Sequence, residues 1–236
     1  MRDRIFGGTG RVKRGIVAVP YLAIVKILQS FGSYDHRNER YAAVIRELLS
    51  SELHKARVVV DLGCGQGLLT ALLGGPQLLV GIDTIHVDRQ PSNEPEFHRI
   101  QGLAERLPLR SGCVEIAIAI SLLEHITDQS AFFRELARIL EPGGYALLQI
   151  PELRFPIEPH TKWPLLYVWR SSIRNRVLSA TGYEDLNLST SLGETTRLAT
   201  TAGFAARRIV PIWHLRLARM LRLSMGYFTL FRKGAE

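Results

Sequence analysis

The chain contains few cysteines, and their scarcity limits how it could be cross-linked or could bind metal. Its 236 residues include two cysteines, Cys64 and Cys113, which are too few for the disulfide framework of a small secreted domain. Neither belongs to a CxxC motif or a Cys/His cluster, so the sequence indicates no metal site. Cysteine usage of this kind is typical of a reducing cytoplasm, where we expect the protein to lie.

Acidic residues are scarce at both ends of the chain. Residues 1–14 contain five basic residues and one acid, and the tail from Phe204 contains seven basic residues and one acid. The net charge of the whole chain is +8. Basic ends favour an anionic partner, namely a membrane surface, a nucleic acid or an acidic substrate. Charge that only keeps a protein dispersed would give the same pattern.

The apolar stretch 15–25 follows the basic start. It contains Pro20 and ends before Lys26, and no small-residue cleavage site follows it cleanly. The stretch is too short to cross a bilayer. We interpret it as an amphipathic or buried helix, with contact at the inner face of a membrane as an alternative.

Apolar periodicity divides residues 35–236 into one α/β domain, which residues 1–34 precede as an extension. The predicted strands are 57–61, 78–83, 97–102, 114–121, 145–150, 205–212 and 225–232, with a turn at 142–144. The predicted helices are 35–55, 66–73, 128–140, 191–201 and 213–223. This alternation argues for a doubly wound, mostly parallel sheet of seven strands. Residues 152–190 show no strong period and are too long for a simple connection, so we expect a substrate-side insertion after strand 5.

A glycine-rich turn follows the first strand. The sequence from Asp61 to Gly67 is DLGCGQG, and Asp83 ends the next apolar strand about twenty residues on. A glycine turn that opens a helix lets backbone N–H groups approach a ligand, and an acid at that distance can bind a ribose. A nicotinamide-binding protein would have a third glycine at position 68, where this chain has Leu68. The spacing therefore favours a nucleoside cofactor of another kind.

Five segments in order resemble the motifs of class I S-adenosylmethionine-dependent methyltransferases, and most closely the ubiquinone/menaquinone-biosynthesis type, which acts on small molecules. The segments are DLGCGQG at 61–67, GID at 81–83, AERLPL at 104–109, SLLEHITD at 121–128 and LEPGG at 140–144, with AGF at 202–204 near the end. The resemblance implies the Rossmann-like methyltransferase fold with an antiparallel last strand. It also implies S-adenosylmethionine as the cofactor.

The resemblance assigns cofactor contacts to the ends of the first two strands. The turn beside the methionine part of the cofactor contains Gly63, Cys64, Gly65 and Gly67. Asp61 is expected to hold the cofactor ammonium, directly or through water, although capping the helix start is an alternative role. Asp83 is expected to accept hydrogen bonds from both ribose hydroxyls.

Further cofactor contacts are implied after the third and fourth strands. The backbone N–H of Ala104 would meet the adenine ring, and the family usually has an aspartate immediately before it. This chain has Leu103 at that position, so one polar contact is absent unless Glu105 replaces it. Ser121 is expected near the reacting sulfur, with Leu122 lining the pocket.

The sequence does not require one particular catalytic base. A methyl group on a sulfonium is already activated, so the protein need only align the acceptor, exclude water and accept a proton. The candidates for the base are His160, in a loop between prolines, and His125, followed by Glu152. Each histidine has a plain structural alternative, His125 at a helix start and His160 on a surface loop.

The insertion offers a clue to the acceptor. Residues 162–176 read KWPLLYVWRSSIRNR, which sets tryptophan and tyrosine beside arginines. This composition suits a membrane interface or an amphiphilic acceptor with an anionic head. It would also suit stacking on nucleic acid bases, but no RNA-binding module is apparent, and a hydrophobic lid is a third interpretation. We therefore expect a small or lipid-like acceptor; the alternatives are an RNA or protein methyltransferase and a non-catalytic cofactor-binding partner subunit.

Overall fold

A computed structural model describes most of the region from residue 34 onward. The described residues are 34–67, 69, 72–73, 78–85, 97–152, 155, 170–184, 186–187, 190–212, 220 and 224–235. The extension 1–33, His160 and most of the first half of the insertion lie outside this set. Much of the predicted helices 66–73 and 213–223 also lies outside it.

Seven strands form one sheet in the order β3-β2-β1-β4-β5-β7-β6. Their bounds are β1 Val58–Leu62, β2 Leu78–Asp83, β3 Phe97–Gln101, β4 Val114–Ala119, β5 Leu140–Pro151, β6 Phe204–Pro211 and β7 Gly226–Lys233. The first five strands are parallel, and β7 runs antiparallel to both β5 and β6. The predicted fold class, including the antiparallel last strand, is confirmed.

Helices cover the sheet on both faces. They are α1 Tyr34–Leu48, α2 Ser50–Leu53, α3 Gln129–Ile139, α4 Ser171–Thr181 and α5 Leu192–Thr201, with a short 3₁₀ helix at Leu123–His125. The single helix predicted over 35–55 is interrupted at Leu49, which lies outside both α1 and α2. Two helix starts are capped by side chains: Asp128 accepts from Ala131 N–H, and Ser191 accepts from Glu194 N–H.

Two apolar cores lie on the two faces of the sheet. Val60 and Leu62 of β1 join one core, together with Phe132 of α3, while Val59 joins the other core, together with Ile45 of α1. Alternate residues of a strand point to opposite faces, so a strand buried on both faces must be apolar throughout. This explains the continuous apolar runs from which the central strands were predicted.

Two strand boundaries differ from those predicted by more than one residue. β4 ends at Ala119 rather than at Ser121, and Ser121 lies beyond the strand with a left-handed backbone of φ 53°. β5 begins at Leu140 and includes the predicted turn 142–144. The register shifts between Val114↔Leu140 and Ile116↔Tyr145, so the extra residues, including Gly143 with φ 81°, are absorbed as an irregularity within the strand.

The topology determines where a ligand can approach. The parallel strands β1 to β5 all end at one edge of the sheet, and the strand order reverses between β1 and β4. Ligands of open α/β sheets bind in the crevice at this reversal. The glycine-rich turn after β1 and the segment after β4 meet there.

Candidate active site

The turn after β1 needs glycine at three positions. Gly63, Gly65 and Gly67 have φ of 71°, 51° and 75°, which side-chain-bearing residues rarely adopt. The turn is tied to β2 because Gly63 N–H donates to the carbonyl of Ile82 at 2.7 Å. Gly67 N–H donates to the carbonyl of Cys64 at 2.8 Å. The backbone of the turn is therefore fixed by its own hydrogen bonds.

The three glycines differ in what surrounds them. A Cβ on Gly63 would lie 2.9 Å from Cδ1 of Leu122, and one on Gly67 would lie 2.7 Å from Cε1 of Phe97. Within the described part of the chain, no atom lies within 4 Å of the position that a Cβ on Gly65 would take. Protein packing thus accounts for Gly63 and Gly67, while the space in front of Gly65 is open to a ligand.

Asp83 lies directly beside this open position. Its Oδ2 accepts a hydrogen bond from Gly65 N–H at 2.8 Å, and its Oδ1 accepts one from Ile85 N–H at 3.0 Å. The carboxylate is half-buried, and each carboxylate oxygen can accept more than one hydrogen bond. Asp83 is therefore held in place by backbone donors and still has capacity for hydroxyl groups of a ligand.

Arg99 of β3 binds the carbonyl of the same glycine, Gly65. Its Nη1 donates to the carbonyl of Gly65 at 3.0 Å, and its guanidinium lies 5.2 Å from the ring centre of Phe97. Its Nε and Nη2 are buried and have no hydrogen-bond partner among the described residues. Arg99 was not predicted from the sequence; the available signal was a charged residue inside a predicted strand, two positions after Phe97.

Cys64 lies in the turn but is not a reactive thiol. Burial, followed by the negative charges of Asp61 and Asp83, raises the pKa of Cys64 to about 12. Its sulfur would be 2.7 Å from a Cβ on Gly81, so it fills the space between the turn and β2. Asp61 itself is buried, with 4% of its surface exposed, at the end of β1.

The segment after β3 is anchored by α3. Leu107 N–H donates to Oε2 of Glu135 at 2.8 Å, and Arg138 donates to the carbonyls of Leu107 at 3.0 Å and Leu109 at 2.7 Å. Glu135 and Arg138 also pair at 2.7 Å, and this contact lowers the pKa of Glu135. Neither anchor was identified from the sequence.

The predicted adenine contacts lie at the start of that anchored segment. Ala104 is buried, Glu105 is half-buried, and Leu103 is 57% exposed. The carbonyl of Leu103 accepts a hydrogen bond from Arg106 N–H at 3.1 Å, which closes a tight turn around Ala104. Leu103 thus offers an apolar surface where the family usually offers a carboxylate, and the adenine contacts stay a prediction.

The segment after β4 brings Ser121 and Leu122 to the glycine turn. Ser121 donates from its N–H and from its hydroxyl to Oε1 of Gln149, at 3.0 and 2.9 Å. Leu122 approaches Gly63, as described above. Gln149 of β5 is buried, and its role was not foreseen, because a polar residue inside an apolar strand gave no indication of its partner.

The candidate bases are only partly described. His125 is half-buried in the 3₁₀ helix at the carboxyl edge of the sheet, whereas His160 lies outside the described residues. Glu152, also half-buried, accepts a hydrogen bond from the Tyr227 hydroxyl at 3.3 Å. Burial, followed by the nearby Glu152 charge, raises the pKa of Tyr227, so this phenol stays protonated as a donor.

The geometry suits a nucleoside cofactor. The open space before Gly65 adjoins a carboxylate that is already positioned, and the turn presents backbone beside it. Among the described residues, no three His, Cys, Asp or Glu side chains come together in a way that could hold a metal ion. A positioned carboxylate beside exposed backbone suits an organic ligand with hydroxyl groups.

Comparisons with known proteins agree with this geometry. Residues 60–148 match a family model described as a methyltransferase domain. A protein of Mycobacterium tuberculosis named Probable S-adenosylmethionine-dependent methyltransferase is 30% identical over 113 residues, which is 47% of this chain and 41% of that protein. The Ubiquinone biosynthesis O-methyltransferase of Xanthomonas oryzae is 31% identical over 98 residues, which is 38% of this chain and 41% of that protein.

A solved structure extends the similarity to the whole fold. The S-adenosylmethionine-dependent methyltransferase from Mesorhizobium loti has a TM-score of 0.59 at 18% identity, covering 81% of this chain and 96% of that one. The chain spans 41% of the length of the two curated relatives named above, so that similarity concerns the methyltransferase domain. These comparisons support a methyltransferase domain over residues 60–148, with S-adenosylmethionine as its cofactor. The resemblance inferred from the five sequence motifs is confirmed.

Proposed function

We propose that this protein transfers a methyl group from S-adenosylmethionine to a small or lipid-like amphiphilic acceptor. The observation that carries the proposal is the placement of Asp83 and Gly65 at the reversal of the strand order. There, a fixed carboxylate, an open glycine and the segment after β4 meet. The sequence matches in residues 60–148 cover this same set of elements.

Each part of the site has a defined task in this reaction. Asp83 would accept hydrogen bonds from the ribose hydroxyls. Buried Asp61 would bind the ammonium group of the methionine part, directly or through water. The turn from Gly63 to Gly67 would lie against the same part, with Cys64 held neutral by its raised pKa. Ala104 and Glu105 would border the adenine, and Leu103 would cover it with apolar surface. Ser121 and Leu122 would line the reacting end.

When bound, the cofactor supplies a methyl group on a sulfonium, which is transferred as the S–C bond breaks and a bond from the acceptor forms in line with it. The protein must then remove one proton from an oxygen or nitrogen acceptor. His125 and Glu152 lie at the carboxyl edge, where this proton would leave, and His160 stays a prediction from the sequence. A variant lacking the base should lose turnover while it retains cofactor affinity.

Three observations support an amphiphilic acceptor. The segment that leads into α4 is rich in tryptophan and leucine, and α4 carries two arginines, with Arg170 at its N-terminal cap. One relative is named for ubiquinone biosynthesis. The basic ends of the chain would attract the protein to an anionic membrane surface from the cytoplasmic side. Within the described residues, no helix combines the length and apolar character that a membrane crossing requires.

The test is transfer of labelled methyl groups into a lysate of the source cell, followed by separation of lipids, small polar molecules and macromolecules. We expect label in the organic fraction with the wild-type protein, and much less with Asp83→Ala at limiting S-adenosylmethionine. Glu194→Ala is the matched control, since it removes a carboxylate that pairs with Arg197 on α5, away from the site. Label only in the aqueous fraction would contradict the amphiphilic acceptor.

The same fractions distinguish the alternative functions. Exposed Arg207 and Arg208 of β6 add to the basic tail, and label in RNA or protein would favour a macromolecular substrate. Binding to RNA should then weaken steeply with salt. Cofactor binding without label in any fraction would indicate a non-catalytic partner subunit.

A further inference from the structure

A second cavity lies beyond the cofactor edge, along α4 and the segment that follows it. Its volume is about 610 Å³, and its lining residues are Arg174, Asn175, Leu178, Ser179, Glu184, Leu186 and Asn187. The lining is of two kinds. Leu178 and Leu186 are buried and belong to one apolar cluster, while a cation and two side-chain amides lie among them. A cavity of this size and composition can take a molecule with both an apolar and a polar part.

Arg174 is the charged group of this cavity that has no partner among the described residues. It is half-buried, and its guanidinium makes no hydrogen bond or ion pair with any residue of the described chain. Glu184, the acid of the cavity, is engaged by the Ser179 hydroxyl at 2.9 Å. Ser179 lies five residues after Arg174, about 7.5 Å along the helix axis. Of the two side-chain amides, that of Asn187 also donates to the carbonyl of Ile126 at 3.5 Å. A half-buried guanidinium beside these amides is suited to bind an oxyanion.

The cavity is connected to the methyl-transfer edge by hydrogen bonds. Asn187, which lines the cavity, donates its backbone N–H to the carbonyl of Glu124 at 2.6 Å. Glu124 lies two residues after Leu122, which packs against Gly63 of the cofactor turn. Gln129 and Thr190 add a buried side-chain hydrogen bond of 2.6 Å between the same two segments. The segment that lines the cavity is therefore hydrogen-bonded to the segment after β4, which also contacts the cofactor turn.

We propose that this cavity binds the anionic group of the acceptor, with Arg174 as the residue that contacts it. The ligand class is a phosphate or carboxylate joined to an apolar body, which Leu178 and Leu186 would contact. This inference rests on the proposed methyl transfer for its biological meaning. The cavity as an anion site, however, can be measured without any transfer. Arg174 sets which acceptors bind, while Asp83 and Gly65 serve the cofactor.

The chain offers a matched control on the same helix. Arg176 has the same charge but is exposed and does not line the cavity, since two residues turn the helix by about 200°. The wild-type protein, Arg174→Met and Arg176→Met should each be titrated with dodecyl phosphate in its monomeric form. Dodecyl maltoside serves as the neutral probe, inorganic phosphate as the free anion, and phosphatidylglycerol vesicles as the lipid surface. S-adenosylmethionine affinity and unfolding temperature are measured on the same three proteins.

We expect the wild type and Arg176→Met to bind dodecyl phosphate alike, and Arg174→Met to bind it about tenfold more weakly, because one charge-assisted contact is lost. Cofactor affinity and unfolding temperature should be equal in all three proteins. Dodecyl maltoside should bind weakly and without regard to Arg174.

Four results would overturn the proposal. They are equal losses in the two variants, inorganic phosphate binding as tightly as dodecyl phosphate, binding to vesicles but not to the monomeric probe, and no saturable binding to the wild type. A protein that binds dodecyl phosphate through Arg174 but does not bind S-adenosylmethionine would leave the anion site standing and would contradict the proposed methyl transfer instead.

Discussion

Ser121 and Gln149 are joined by two hydrogen bonds that share one acceptor atom. The backbone N–H and the hydroxyl of Ser121 both donate to Oε1 of Gln149, at 3.0 and 2.9 Å. Among the described residues, Ser121 is the one non-glycine with a positive φ. A buried side chain of β5 thus holds an unfavourable backbone conformation at the end of β4, where the acceptor is expected to meet the cofactor.

The strain at Ser121 predicts an order of stability for two small substitutions. Ser121→Ala and Ser121→Gly both lose the hydroxyl, but glycine adopts φ 53° without a steric penalty. We expect Ser121→Gly to be more stable than Ser121→Ala by about 1 kcal/mol, measured by urea unfolding of both variants. An alanine variant as stable as the glycine variant would mean that the backbone at this position is not strained.

Replacement of Asp83 should weaken the binding of S-adenosylmethionine. Asp83→Ala leaves two ribose hydroxyls and the Gly65 N–H without their acceptor, so we expect a loss of about 1–3 kcal/mol in binding. Calorimetric titration measures it directly. Glu194→Ala, the control on α5, should bind as the wild type does. Equal affinities in all three proteins would contradict the assignment of Asp83 to the ribose.

Replacement of Arg99 should lower the affinity for the cofactor more than it lowers the free energy of unfolding. Arg99→Met removes the hydrogen bond to the Gly65 carbonyl, so Gly65 loses one of the two side-chain contacts that hold it. We expect cofactor affinity to fall by about tenfold, the value of one charge-assisted hydrogen bond. The free energy of unfolding should change little, because methionine also removes two buried nitrogens that lack partners among the described residues.

A conservative variant separates positioning from simple packing at Arg99. Arg99→Lys retains a charged donor and should recover part of the lost affinity, whereas Arg99→Met should not. Titration of S-adenosylmethionine and urea unfolding of both variants give the two readouts. If affinity and stability fall together in Arg99→Met, the arginine supports the fold in general rather than the turn.

The raised pKa of Cys64 predicts that the free energy of unfolding falls in alkaline solution. The folded protein raises the pKa of this thiol from 9.0 to about 12, so above the unfolded value the unfolded chain releases a proton that the folded chain keeps. The contribution of Cys64 is therefore complete below pH 9.0 and declines as the pH rises toward about 12. Unfolding of the wild type and Cys64→Ala across this range should show a flatter decline in the variant. Parallel declines would mean that Cys64 ionises alike in both states.

Much of the sheet could be predicted from sequence because its central strands are apolar on both faces. Leu78–Asp83 was predicted to the residue, and the other strands were placed within a few positions. The errors occur where local patterns meet tertiary restraints. The sequence 142–144 has the composition of a turn, yet it continues β5, because Gly143 can take φ 81° and pairing with β4 resumes at Tyr145 after a register shift. β4 ends before Ser121, whose left-handed backbone is bound by Gln149 of β5.

The sequence by itself determined the glycine turn, the acid at the end of β2 and the resemblance to methyltransferases, because these depend on residue type at fixed spacing along one chain. Only the tertiary structure showed that Asp83 and Arg99 bind the N–H and the carbonyl of Gly65. It alone showed that Gln149 holds Ser121, that Glu135 and Arg138 anchor the segment after β3, and that Arg174 lies in a cavity. Asp83 lies 18 residues and Arg99 lies 34 residues from Gly65 in the sequence. Side chains at such separations meet only when the strand order brings them together, so no local pattern of residues encodes the contact.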